Sequence, residues 1–188
     1  MKILNIYSSL NGPTARVAAE ISKAAKDMGC ELTEVQITKD TEALDLLDFD
    51  LSFFGSGVYS WLPPKPALKW IDKQMDAAKA AGLIKPCSPR IPGKFVSVYT
   101  TFGGPHTGVA EAVPAVKYMG QLFDHLGISI ADEWYVQGSF IPENFSAMNT
   151  AGRMGNVEGR PNAADLRAAY ERTCGTILNL RPVIDALP

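Results

Sequence analysis

Ser9, Asn11 and Thr14 bring two hydroxyls and a carboxamide together within six residues, around Gly12. On a turn that leads into a helix, such groups suit a phosphate. Glycine allows the backbone to come close, and the first N–H groups of the helix point outward with the positive end of its dipole. The stretch Ser9-Leu10-Asn11-Gly12-Pro13-Thr14 contains no lysine or arginine. It is neither the Gly-x-x-x-x-Gly-Lys loop of nucleoside triphosphatases nor a Gly-x-Gly-x-x-Gly dinucleotide turn. Without a ligand, the same residues read as a helix start in which Ser9 or Asn11 caps and Gly12 makes the turn.

Two further stretches carry planar side chains among small residues. Gly55–Pro64 holds Val58, Tyr59, Ser60 and Trp61, stiffened by Pro63-Pro64, and either aromatic offers a stacking surface. The second stretch follows Thr100 and contains Thr101, Phe102, Gly103, Gly104 and His106. His106 is the one titratable side chain between Thr101 and Gly108. A histidine there can give up a proton near neutral pH, or simply face solvent.

These stretches need elements to position them. Apolar runs predict strands at Lys2–Tyr7, Glu31–Ile37, Asp50–Ser56, Lys94–Thr101 and Ser129–Val136. Helical spacing joins Val17, Ile21, Ala24 and Met28, then Leu68, Ile71, Met75 and Ala78, with Pro66 in the first turn. A third helix uses Val113, Val116, Met119, Phe123 and Leu126, with Pro114 unsettling its start. A fourth starts near Asn162, with Asp165 three residues on as in a capping box. Thr41–Asp48 predicts one or two helical turns, and Gly138–Pro161 is the longest irregular stretch, long enough for a lid or a subunit contact. Strands alternating with helices imply an α/β, doubly wound, five-stranded parallel sheet with helices on both faces, in a single domain over residues 1–188. Ligands then bind at the carboxyl ends of the strands, where the three polar and aromatic loops fall.

The first loop, as Ser9-x-x-Gly12-x-Thr14, resembles the Ser/Thr-x-x-Gly-x-Thr phosphate signature of the flavodoxin-like FMN family, and the order of elements resembles that family along nearly the whole chain. The resemblance implies that Ser9, Leu10, Asn11, Gly12, Pro13 and Thr14 hold the FMN phosphate. It implies that Val58, Tyr59, Ser60 and Trp61 flank the isoalloxazine ring on one side, and Thr101, Phe102, Gly103, Gly104 and His106 on the other. The two ring loops look more like the NAD(P)H:quinone oxidoreductase branch than the small carriers. Two residues depart from the pattern: Pro13 lacks an N–H, and Asn11 stands where a hydroxyl is common. The implied function is an FMN-dependent oxidoreductase passing electrons from NAD(P)H or a reduced protein to a quinone-like acceptor, with His106 either hydrogen-bonding the flavin pyrimidine edge or donating a proton to the reduced quinone. On that reading Arg153 or Arg160 meets a nicotinamide nucleotide's phosphate, and a homo-oligomer is expected. The alternative is a flavodoxin-type carrier that shuttles electrons between proteins without a substrate of its own.

Composition narrows the field further. Of 188 residues, 18 are basic and 20 acidic, a net charge of −2 that fits neither nucleic acid nor a membrane surface and is less acidic than expected of a pure carrier. No apolar run reaches the roughly 20 residues of a membrane span, and the first residues lack a secretory core, so a cytoplasmic setting is expected. Cys30, Cys87 and Cys174 are too widely spaced for a disulfide framework, a metal site or an iron–sulfur cluster. A phospho-receiver is set aside because Tyr7-Ser8-Ser9 and Gly55-Ser56 stand where its acids belong. The acids from Asp40 to Asp50 read as a solvated face or a dock for a basic redox partner. The scarcity of cations around the loops predicts a low flavin potential.

Overall fold

The computed structural model describes residues 1–187. Five strands form one parallel sheet: β1 (Lys2–Ser8), β2 (Glu31–Gln36), β3 (Leu51–Gly57), β4 (Phe95–Phe102) and β5 (Ser129–Gln137). Their order is β2-β1-β3-β4-β5. From β1 the chain goes outward to β2 and then returns to β3 on the other side, so a crevice opens between the ends of β1 and β3.

β1, β3 and β4 are buried on both faces, as strands covered by helices on each side must be. On one face Leu4, Ile6, Phe54, Val96 and Val98 meet α2 (Lys65–Ala80) and α3 (Val113–His125) through Trp70, Ile71, Val116, Met119 and Phe123. Phe54 lies between Trp70 and Phe123, at centroid separations of 5.6 and 5.7 Å. On the other face Ile3, Phe53, Tyr99 and Trp134 meet α1 (Pro13–Asp27) and α5 (Ala163–Asp185) through Val17, Ala18, Ile21, Ala169 and Ile177. α5 is tied along α1: Tyr170 donates to Asp27 at 2.9 Å, and Arg181 donates to the Met28 carbonyl at 2.8 Å. The Tyr99 ring covers Gly55 on the neighbouring strand, where a Cβ would lie 2.0 Å from a ring carbon.

The strand and helix expectations hold to within a residue or two at their ends. The Asn162–Asp165 capping box forms, and Pro114 sits within the first two positions of α3, where its missing N–H is harmless. Thr41–Asp48 differs, because only Leu46–Asp48 makes a 3₁₀ turn. The backbone before it bonds to side chains instead: Leu44 to the Gln74 amide, and the Glu42 carbonyl to the Trp70 indole N–H. Among the described residues, no helix is long and apolar enough to cross a membrane.

Candidate functional site

A cleft of about 290 Å³ opens at the carboxyl ends of β1, β3 and β4, near the lower end of the range for small-molecule sites. The loop after β1 forms its first wall. Gly12 caps α1 with φ +102°, a conformation that favours glycine, and has no side chain to offer. Ser9 supplies the acceptor instead. Its Oγ takes the N–H groups of Gly12 and Ala15, each at 3.2 Å. The N–H groups of Leu10, Asn11 and Thr14 find no backbone acceptor. Of these, the Thr14 N–H is the donor left over in the first turn of α1, and those of Leu10 and Asn11 come from the loop just before its cap.

The loop after β3 folds back as a two-residue hairpin. Tyr59 and Leu62 exchange backbone hydrogen bonds at 2.8 and 3.1 Å, while Ser60 and Trp61 take φ +48° and +68° at its tip. Both residues sit in a region usually left to glycine and asparagine, which turns the Trp61 side chain out to 60% exposure. Tyr59 leans back on Gly57, where a Cβ would meet its ring at 2.9 Å, and burial pushes its phenol pKa up. The Asn11 amide donates to the Tyr59 hydroxyl at 3.4 Å, linking the first two loops.

The loop after β4 joins both. Thr101 and Thr14 share a 2.7 Å hydrogen bond between hydroxyls, and Val58 N–H donates to the Thr101 carbonyl at 3.2 Å. Beyond Gly104 this loop is pinned to itself: the N–H groups of His106 and Thr107 both donate to Glu111 Oε1 at 2.7 Å. The roof comes from the segment after β5. Gly138 N–H continues the ladder to the Phe102 carbonyl at 2.9 Å, and Phe140, Ile141, Pro142 and Phe145 close over the cleft. No Asp, Glu, Lys, Arg or His lines the cleft. Arg160 is committed to Asp165, and Arg153 lies exposed with its N–H on the Pro105 carbonyl at 2.8 Å.

No protein-family model matches the chain, and no curated protein matches it. Solved structures do match. Oxidised flavodoxin 1 of Bacillus cereus superimposes with a TM-score of 0.66 at 16% identity, covering 95% of this chain and 98% of its own. A WrbA-like flavodoxin of Agrobacterium tumefaciens gives 0.61 at 14% identity, covering 97% and 98%. The chain has the flavodoxin fold. The rubredoxin oxygen:oxidoreductase of Desulfovibrio gigas contains a similar unit, with a TM-score of 0.63 at 13% identity over 98% of this chain and 37% of that one.

Within this flavodoxin fold the structure gathers most of the residues singled out from the sequence. Ser9, Leu10, Asn11, Pro13, Thr14, Val58, Tyr59, Ser60, Thr101, Phe102 and Gly103 line the cleft. Gly12, Trp61, Gly104 and His106 do not; Gly12 and Gly104 make turns, and Trp61 and His106 are exposed. Phe140 and Phe145, in the long stretch expected as a lid or a subunit contact, join the cleft lining, and the length and aromatic content of 138–161 are the only marks they carry in the sequence. The acidic run is largely spoken for. Glu42 pairs with Lys73, Asp48 with Lys2 and Asp50 with Lys94, while Asp45 caps the 3₁₀ turn. All three cysteines are free thiols. Among the described residues, no cluster of three His, Cys, Asp or Glu side chains is arranged for a metal.

Proposed function

We propose that the cleft binds FMN, and that the protein is an oxidoreductase passing electrons from NAD(P)H or a reduced protein to a quinone-like acceptor. One observation carries this reading: three loops at the ends of β1, β3 and β4 converge on a single cleft with no charged side chain in its lining, where the polar first loop is tied directly to Tyr59 and Thr101 of the two aromatic loops. The donor set fits a phosphate. It comprises the Ser9 hydroxyl, the Asn11 amide and the N–H groups of Leu10, Asn11 and Thr14, with no carboxylate in the lining to repel an anion. Pro13 contributes no N–H, yet the others remain. The other two loops fit a flat ring between Val58, Tyr59 and Ser60 on one side and Thr101, Phe102 and Gly103 on the other, with Trp61 and Gly104 outside the lining.

Bound there, FMN would supply the electron-transfer chemistry, and the protein would supply position, shielding and electrostatics. Thr14 and Thr101 would hold the first loop against the end of β4, and the 138–145 segment would cover part of the cleft. His106, exposed in the loop after β4, belongs to this proposal as a proton donor, a role that His106→Asn tests through the pH profile of acceptor reduction.

A second reading, a flavodoxin-type carrier, is favoured by the absence of any cation from the lining. The phosphates of a nicotinamide dinucleotide meet no lysine or arginine there: Arg160 already serves Asp165, and Arg153 lies exposed outside the lining. Visible absorption of the purified protein, with and without added FMN, tests the shared part: twin flavin bands that persist through gel filtration are expected. Anaerobic NADH or NADPH then separates the readings, since bleaching marks a reductase and its absence a carrier fed by a protein. A protein that stays colourless with FMN present removes both.

A further inference from the structure

Phe140 is gripped by its own backbone. Its N–H donates to Asn149 Oδ1 at 2.7 Å, and its carbonyl accepts from Asn149 Nδ2 at 2.9 Å. One carboxamide thus serves both backbone groups of a single residue nine positions earlier, as a neighbouring strand would. Asn149 is 6% exposed and is itself fixed, since its carbonyl accepts the Val157 N–H at 2.7 Å. A buried amide with every group satisfied tolerates little displacement, so the clamp sets where the Phe140 ring can stand.

That place is the cleft wall. The ring lies against Gly103, where a Cβ would come within 2.2 Å of it, so no other residue at 103 allows the contact without movement. Phe145 braces it from outside, with centroids 6.0 Å apart and planes at 45°. Both Phe140 and Phe102 line the cleft, but Phe140 is half-buried and keeps more of its ring open, whereas Phe102 is 5% exposed. With no charged side chain in the lining, the ring is matched to a flat, uncharged partner.

We propose that Phe140 is the aromatic wall against which the isoalloxazine ring stacks, and that Asn149 is the positioning residue that holds it there. The inference rests on the FMN reading above and adds to the ring loops a contact from the segment after β5.

The test is FMN binding by apo-protein, followed through flavin fluorescence, with riboflavin as a second probe that lacks the phosphate. Phe140→Ala is expected to weaken both ligands by about tenfold, the scale of one aromatic stack, and to leave the bound flavin more fluorescent. Phe140→Trp is expected to restore affinity and quenching. Asn149→Ala is expected to weaken binding several-fold, and the double variant Phe140→Ala/Asn149→Ala to bind no worse than Phe140→Ala alone, because the amide acts through the ring. Additive losses would remove Asn149 from the account, and unchanged affinity in Phe140→Ala would overturn the wall itself. Should Asn149→Ala fail to fold, the Phe140 pair still decides. Wild-type protein that binds neither ligand defeats the FMN reading, and this inference with it; wild-type binding alongside an indifferent Phe140→Ala defeats this inference alone.

Discussion

The hydroxyls of Thr14 and Thr101 meet at 2.7 Å across 87 residues of chain, tying the first turn of α1 to the end of β4. The two residues are 2% and 5% exposed, so neither hydroxyl has water to fall back on. The first loop and the end of β4 are therefore one mechanical unit, and damage at one is felt at the other. Thr101→Val leaves the Thr14 oxygen buried without its partner, which costs about 1–3 kcal/mol. Urea denaturation should show that loss, and the Thr14→Val/Thr101→Val pair should lose less than the sum of the single changes. Fully additive losses would mean the contact carries no energy.

Gly55 and Gly175 should respond to alanine in opposite directions. At Gly55 the new methyl meets the buried Tyr99 ring at 2.0 Å, in the middle of the sheet. Overpacking of that kind costs about 3 kcal/mol. Gly175 lies inside α5 with nothing within 4 Å of the added atom, so Gly175→Ala should stabilise by roughly 0.5–1 kcal/mol through helix propensity. Urea midpoints of the two variants check both signs.

Acid should loosen the edge of the sheet at Asp132. Burial pushes its carboxyl up, but hydrogen bonds from Arg172, the Trp134 indole and the Glu133 N–H, together with the guanidinium charge, outweigh burial and hold it below 3.8. A carboxyl depressed in the folded state stabilises at pH above its unfolded value, and that contribution is lost as pH falls through the folded one. Asp132→Asn should cost about 1 kcal/mol at neutral pH, discounted for partial exposure. The gap from wild type should close as pH drops below 3.8. A gap independent of pH would assign the effect to packing of Arg172 over the Trp134 ring, 5.0 Å from its centroid.

The FMN-loaded protein should have a midpoint potential at or below that of free FMN. The lining holds no cation, so the negative charge added on reduction gains no Coulombic support. Ser139→Lys, which places an ammonium on the cleft wall, should raise the potential. A redox titration placing wild type well above free FMN would contradict the electrostatic argument.

Much of the fold was legible because burial writes periodicity into sequence. Val17 and Ile21, Ile71 and Ala78, and Val116 and Met119 repeat at helical spacing because each faces the sheet, and β1, β3 and β4 are buried on both faces because helices cover each side. The phosphate end of the cleft was legible for a local reason: Ser9, Gly12 and Thr14 act within six residues of one another. What escaped depended on partners far along the chain, or on backbone angles that residue type does not announce. Thr41–Asp48 has helical spacing, yet Gln74 and Trp70 capture its backbone from 28 to 30 residues away. Ser60 and Trp61 hold left-handed angles without the glycine or asparagine that signals such a turn. The Asn149 clamp on Phe140 follows no period, and nothing in the amide's own neighbourhood marks it out.

The tie between α1 and α5 bears on how the chain leaves the ribosome. Tyr170 and Arg181 reach back to Asp27 and Met28 across 143 and 153 residues. A nascent chain that has emerged only through β5 carries Ile3, Val17, Phe53 and Trp134 on a face whose second helix is still inside the exit tunnel or yet to be translated. Its other face, between the sheet and α2 and α3, already has every element it needs. One side of the sheet can therefore close during synthesis, while the other stays sticky and within reach of chaperones until α5 arrives.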